Sequence, residues 1–233
     1  MNEYTIKLKK KQKVAEETWM FTFQKPADLK FQAGQYAMLE IIEERFTDDR
    51  PKFRAMSIAS APQDNHLDFI MRESESAFKK NITTLEIGKE IKIKAPIGHF
   101  SLPEDKNKKI VFLTAGVGIT PIRSILREEE LKKSERKITL FYSNRNVESA
   151  ALYKEMEKFK LKNYKCVNTM TRKCTNWNGE YGRINDEMIS KYLDEVENSL
   201  YYVVGTKKFI EAMRKTLTEM KVEKENIIFD NFG

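Results

Sequence analysis

The sequence predicts a two-domain fold: an N-terminal antiparallel six-stranded β-barrel over residues 1–103, then a C-terminal α/β domain on a parallel sheet over residues 104–233. Three observations carry this reading. Before Pro103, short apolar or alternating segments recur at close spacing with little helix between them, as in a barrel. After the charged linker Glu104-Asp105-Lys106-Asn107-Lys108-Lys109, apolar strands alternate with amphipathic helices, the rhythm of a parallel sheet covered on both faces. At the first strand-to-helix corner of that second half lies Ala115-Gly116-Val117-Gly118, small enough to turn sharply.

In the first half, residues 4–13 alternate loosely between apolar and polar, and Glu16-Glu17 makes a turn. Residues 19–24 form an aromatic-rich second strand, and Gly34-Gln35 leads into a third over 36–42. Residues 53–59 and 67–71 are further strands, separated by the turn signal Asp64-Asn65. Residues 91–95 alternate cleanly up to Pro96, and residues 75–85 are the one helical candidate.

In the second half the strands are 110–114, 138–143, 164–171, 201–204 and 227–229, and the helices 121–133, 149–159, 186–193 and 207–220. Pro121 suits a first helical turn, where its missing N–H costs nothing. Strand, glycine turn and helix start together aim free N–H groups and a positive dipole end at one spot. That makes an anion-binding site or an ordinary corner; the third glycine of the dinucleotide fingerprint is absent. Ligands on such sheets sit at the carboxyl ends of the strands.

The apolar and charged fractions, 40% and 33%, are those of a globular protein, and nothing approaches a membrane-spanning run. The first residues lack a secretory signal, so cytoplasm is the expected location. Cys166 and Cys174 cannot hold an iron–sulfur cluster by themselves and read as idle thiols. His66 and His99 fall in a turn and a loop and read as structural, with no metal expected. The net charge of +7 is spread along the chain without arginine–aromatic interleaving, which disfavours nucleic acid and leaves an acidic protein partner or a lysine-rich composition. Oligomeric state is not legible here.

Arg54 and Ser57 stand three apart on a strand with small residues following; arginine can neutralise a phosphate, and a serine hydroxyl can donate to a ring nitrogen. Arg54-Ala55-Met56-Ser57 resembles the Arg-x-Tyr-Ser flavin motif of the ferredoxin–NADP reductase superfamily. Pro96-Ile97-Gly98-His99-Phe100 is similar to the turn closing that family's barrel, and Ala115 to Pro121 to its pyrophosphate loop. Phe141-Tyr142-Ser143-Asn144-Arg145 resembles its second nucleotide-domain strand. Thr171-Arg172, followed by Trp177 to Arg183, resembles its adenosine-side segment. Tyr201 to Thr206 is similar to the strand that normally ends Cys-Gly-Pro, and Asn226 to Phe232 to the C-terminal strand. The resemblance runs in family order over nearly the whole chain.

It implies FAD and a nicotinamide dinucleotide as cofactors. Arg54 would bind the FAD pyrophosphate, with Ala55 and Met56 beside it, and Ser57 would hydrogen-bond flavin N5 as the catalytic residue. Ile70, Met71 and Arg72 would hold the ring edge through their backbone. The helix start near Phe78, Lys79, Lys80 and Asn81 would receive the flavin phosphates. Gly116, Val117, Gly118, Ile119, Thr120 and Pro121 would cradle the nicotinamide dinucleotide pyrophosphate, and Gly205 and Thr206 would lie near the nicotinamide. Thr171, Arg172 and Arg183, with Ser143, Asn144 and Arg145, would surround the adenosine; these arginines, and no acid directly after Tyr142, favour NADPH over NADH. Phe232, in place of the usual C-terminal tyrosine, would shield the flavin or serve as an apolar peg.

Departures are Met56 for the motif tyrosine, Lys79-Lys80 for a phosphate-binding hydroxyl, and Val204 and Thr206 around Gly205. The expected activity is an FAD-dependent NAD(P)H oxidoreductase serving a one-electron acceptor protein, acidic ferredoxin or flavodoxin or an oxygenase component. The alternative is a non-catalytic nucleotide-binding or regulatory relative that has lost flavin.

Overall fold

The computed structural model describes residues 1–231, which group into two units: Met1–Ser101 with Thr120–Glu128, and Leu102–Ile119 with the residues from Glu129 onward.

The first unit contains β1 (Asn2–Ala15), β2 (Thr18–Gln24), β3 (Tyr36–Ile41), β4 (Phe53–Ser57), β5 (His66–Arg72), α1 (Ala77–Thr84) and β6 (Glu90–Ile97). Its six strands run in the order β4-β3-β6-β1-β2-β5, every neighbour antiparallel. The loose alternation of β1 has a cause. Residues 2–7 pair with β6 and the strand then passes to β2, with register shifts between Leu8 and Lys10 and between Lys13 and Ala15. Such bulges break the two-residue period, so Lys9 and Lys10 are both exposed after buried Ile6 and Leu8. Ile6, Leu8, Phe21, Phe23, Leu39, Phe69 and Ile93 fill the core.

β4 and β5 are the two sheet edges. The Ala59 N–H donates to the Asp68 carbonyl at 2.7 Å and the Asp68 N–H to Ser60 Oγ at 3.2 Å, which ties them together at that level. The 120–128 stretch is fastened to the same corner: Arg123 Nη1 donates to the Ala59 carbonyl at 3.0 Å and to Asp68 Oδ2 at 3.1 Å, Ser124 Oγ to the Ser60 carbonyl at 2.6 Å, and Arg127 forks onto both Asp64 oxygens at 2.7 and 3.0 Å.

The second unit follows β7 (Ile110–Ala115) with a 3₁₀ turn (Gly116–Gly118) into α2 (Ile119–Leu131), which continues into the 120–128 stretch. Then come β8 (Ile138–Asn144), α3 (Tyr153–Met156), β9 (Tyr164–Met170), β10 (Glu180–Tyr181), α4 (Asp186–Tyr192), β11 (Leu200–Gly205), α5 (Lys207–Glu219) and β12 (Ile227–Asn231). The sheet order is β10-β9-β8-β7-β11-β12, parallel throughout.

Three elements differ from expectation. α2 begins at Ile119, so Pro121 is its third residue rather than its first, still among the N–H positions that lack an intrahelical acceptor. The helix expected over 149–159 is reduced to α3. Ser149 and Asn146 exchange side-chain-to-backbone bonds at 3.1 and 3.3 Å, and Leu152 takes a left-handed φ of 58°, which interrupts helical continuity. Two-residue β10 is too short for a sequence signal.

Candidate functional site

In the first unit, alternation along β4 places Arg54 and Met56 on one face and Ala55 and Ser57 on the other. Met56 turns into the barrel, where it packs in the apolar core, and Ala55 is exposed. Ser57 is 2% exposed, and its Oγ has no hydrogen-bond partner among the described residues. A buried hydroxyl left without a partner costs roughly 1–3 kcal/mol. A flavin ring nitrogen would supply that partner, so the residue fits the group.

On edge strand β5, the Asp68 N–H and carbonyl both point away from β2. The period of two turns the backbone groups of Ile70 and Arg72 to the same free edge, and those of Met71 toward β2. Ile70 and Met71 are buried side chains, so Ile70 offers its backbone and nothing else.

Arg54 Nη1 donates to the Pro51 and Phe53 carbonyls at 2.5 and 2.7 Å, and its guanidinium lies 5.6 Å from the Phe78 ring centroid. Lys79 is close enough to Arg54 and Arg72 that its ammonium is held below the usual lysine pKa, first by burial and then by those two cations. Three cations brought together in this way suit a polyanion.

The four residues expected at the helix start divide. Phe78 is buried in the barrel core. Lys80 pairs with Glu75 at 2.7 Å. Asn81 accepts the Arg45 and Phe46 N–H groups at 2.8 and 3.0 Å and donates to the Phe46 carbonyl at 2.7 Å. Only Lys79 joins the cationic group. The first helical N–H, that of Ala77, donates to Asp48 Oδ2 at 2.7 Å, a carboxylate the sequence reading did not single out.

In the second unit, strand order reverses at β7, with β8 and β9 to one side and β11 and β12 to the other. The carboxyl ends of β7 and β11 therefore flank the crevice where such sheets take ligands. A Cβ on Gly118 would lie 2.5 Å from Thr114 Oγ1 and 2.8 Å from the Val204 carbonyl oxygen, so only glycine lets the turn approach β11 this closely. Gly116 has a φ of +55° and open space where its Cβ would be. Thr114 Oγ1 donates to the Val204 carbonyl, and Tyr142 Oη to the Gly116 carbonyl, each at 3.0 Å. Sequence reasoning passed over these two hydroxyls; their place at strand ends beside the glycine turn was the available signal. Ile119, Thr120 and Pro121 have buried side chains, which leaves the turn's backbone as its binding surface.

Gly205 passes against the Phe209 ring, 2.9 Å from its would-be Cβ, and Thr206 caps α5, its Oγ1 accepting the Phe209 N–H at 3.4 Å. At the end of β8, Ser143 and Asn144 are buried, and both side-chain polar atoms of Asn144 lack a partner among the described residues. The Asn144 carbonyl accepts the Thr171 N–H at 2.8 Å and the Arg145 carbonyl accepts the Arg172 N–H at 2.9 Å. The structure thus joins residues 143–145 to 171–172. Arg145, Arg172 and Arg183 are exposed, and among the described residues none has an acidic partner. Phe232 lies outside the described residues. Among the described residues no metal-ligating cluster and no helix able to cross a membrane is present.

Comparison with known proteins follows the same division. Residues 5–102 match the family model described as "Oxidoreductase FAD-binding domain", and residues 112–215 the one described as "Oxidoreductase NAD-binding domain". The chain is 29% identical to the flavohemoprotein of Bacillus subtilis, covering 96% of this chain but 58% of that protein's length. In fold it is similar to the flavohem-like FAD/NAD binding domain of nitric oxide dioxygenase from Vibrio cholerae, with TM-score 0.86 and 21% identity over 98% of each chain. It is also similar to a ferredoxin NADP+ reductase from Neisseria gonorrhoeae with bound FAD and NADP, with TM-score 0.85 and 20% identity over 99% of each chain. With one model on the antiparallel sheet and the other on the parallel sheet, the chain belongs to the ferredoxin–NADP reductase-like superfamily of FAD- and NAD-binding oxidoreductases.

Proposed function

We propose that this chain is a reductase that oxidises NAD(P)H with FAD and delivers the electrons to a protein acceptor such as ferredoxin, flavodoxin or an oxygenase component. Residues 1–103 form the flavin domain and residues 104–233 the nucleotide domain. The observation that carries the reading is the buried, partnerless hydroxyl of Ser57 at the free end of β4.

When bound, FAD supplies a ring that accepts a hydride and gives up electrons singly. Ser57 donates its hydroxyl to the ring nitrogen that gains the hydride. The Ile70 backbone holds the ring edge, and Arg54, Arg72 and Lys79 neutralise the phosphates. The Gly116 to Gly118 turn offers backbone N–H groups to the dinucleotide pyrophosphate, and Arg145, Arg172 and Arg183 face the adenosine end, favouring NADPH. No acid–base side chain beyond Ser57 is required. The flavohemoprotein relative is longer than this chain, and for the protein acceptor proposed here an acidic partner suits the net charge of +7.

The test is anaerobic titration of FAD-loaded protein with NADPH and with NADH, followed by addition of candidate acceptors. Bleaching of the flavin colour and its return on acceptor addition are expected. A colourless protein that rejects added FAD overturns the reading in favour of a nucleotide-binding relative without flavin.

A further inference from the structure

Tyr142 stands near the carboxyl end of β8, opposite Thr114 of β7, and is fully buried. Its hydroxyl faces two carbonyls on two different connections of the sheet. One is that of Gly116 at 3.0 Å, in the turn after β7; the other is that of Ala151 at 2.9 Å, in the segment between β8 and α3. A single phenolic proton serves both. A phenylalanine ring would fill the same space, so packing alone does not call for the oxygen.

The Gly116 carbonyl has a second donor, the Ile119 N–H. Both of its lone pairs are thus engaged from within the protein. That fixes the plane of the peptide joining Gly116 to Val117. The bond is trans, and in a planar trans peptide the C=O and the N–H point in opposite directions. A carbonyl held inward by a buried tyrosine therefore aims the N–H of the same peptide outward. Gly116 needs such a restraint. It sits at φ +55° with open space where its Cβ would be, and glycine leaves that region for others at little cost.

We propose that Tyr142 is a positioning residue for the dinucleotide pyrophosphate: its hydroxyl holds the Gly116 carbonyl so that the turn presents its N–H groups in one orientation. The inference rests on the nucleotide reading above and deepens it, since it names a residue that acts on the ligand through the backbone. Donation into the carbonyl also polarises the peptide, which makes its N–H a better donor to an anion. The pyrophosphate is common to NADPH and NADH, so the hydroxyl serves both alike, unlike Arg172 and Arg183.

The experiment compares the FAD-loaded full chain with Tyr142→Phe and with a variant carrying 3-fluorotyrosine in place of Tyr142, whose phenol is a stronger donor. Flavin reduction by NADPH and by NADH is followed over a range of nucleotide concentrations, with FAD affinity and thermal melts measured beside it. Tyr142→Phe is expected to raise the half-saturating concentration of both nucleotides by the same factor, about two- to tenfold, the span of one neutral hydrogen bond. Maximal reduction rate and FAD affinity are expected to hold, the mark of lost uniform binding. The fluorinated variant is expected to lower half-saturation about twofold for both nucleotides. A hydroxyl that only stabilises the fold predicts a lower melting temperature with half-saturation unmoved, and that result overturns the proposal. A change confined to one nucleotide overturns it as well. If Tyr142→Phe does not fold, the fluorinated variant against wild type decides alone, and half-saturation that stays put or rises overturns the proposal. A wild type whose flavin responds to neither nucleotide overturns the nucleotide reading itself.

Discussion

Gly118 and the Val204 carbonyl are separated by less than a side chain's width: a Cβ at 118 would sit 2.8 Å from that oxygen. The obstacle is backbone, which cannot swing aside, and the second obstacle, Thr114 Oγ1 at 2.5 Å, is itself bonded to the same carbonyl. Gly118→Ala is therefore expected to destabilise the second unit by about 1–3 kcal/mol, the usual cost of overpacking. Gly116→Ala meets open space but must hold φ at +55°, and is expected to cost about 1–2 kcal/mol. Chemical denaturation checks both. A Gly118→Ala protein as stable as wild type contradicts the close approach.

Ser57→Ala separates function from stability. The hydroxyl bonds to nothing among the described residues, so its removal is expected to leave the flavin-free protein as stable as before or slightly more so. Flavin reduction by NAD(P)H in single-turnover mixing is expected to slow about tenfold, the upper worth of one neutral hydrogen bond. Unchanged reduction removes Ser57 from the catalytic role.

Legibility of the fold followed from how local each signal was. β6 and β7 are readable because alternation and an apolar run survive in the linear sequence. β1 is blurred by its bulges, and apolar periodicity suggests a longer helix over 149–159 than forms, because the Asn146–Ser149 bonds and the left-handed Leu152 leave no mark on it. The same holds at the site. The Gly116–Gly118 turn and the Arg54–Ser57 spacing lie within a few residues and could be read. Asp48 could not, because its partner Ala77 is 29 positions away and an aspartate in a charged loop has no distinguishing pattern.

Arg172→Ala and Arg183→Ala test nucleotide choice. Both side chains are exposed and free of acidic partners among the described residues, so their loss disturbs no ion pair of the fold. Each is expected to raise KM for NADPH about five- to tenfold and leave KM for NADH unchanged. A parallel rise for both nucleotides indicates contact with a part they share, and refutes the preference for NADPH.

Asp64 makes stability depend on acid pH. Burial raises its pKa, but the Arg127 fork and the Ala61 N–H at 2.8 Å outweigh that, leaving it below the usual aspartate value. A carboxylate with a depressed folded pKa stabilises above its unfolded pKa, and that contribution fades as pH falls through the folded value. Asp64→Asn is expected to cost about 1 kcal/mol near neutrality, allowing for solvent screening, and progressively less in acid. Melts across an acid pH series give the comparison, and a deficit independent of pH rules out the charge as its source.

Lys79 carries the opposite sign and tests the cationic receptor directly. Burial, then Arg54 and Arg72, hold its folded pKa below the unfolded one, so the protonated side chain disfavours the folded state at every pH below that folded value. The penalty is relieved only in alkali, where the folded protein releases the proton first. Lys79→Gln removes the penalty outright. The flavin-free variant is expected to melt higher than wild type near neutrality, with the gap closing as pH rises through the alkaline range. The same change is expected to weaken FAD binding about tenfold, because the proposed phosphate receptor loses one of its three cations. A structural lysine predicts the reverse, a lower melting temperature with FAD affinity untouched, so the two measurements on one variant decide between a binding role and a packing role.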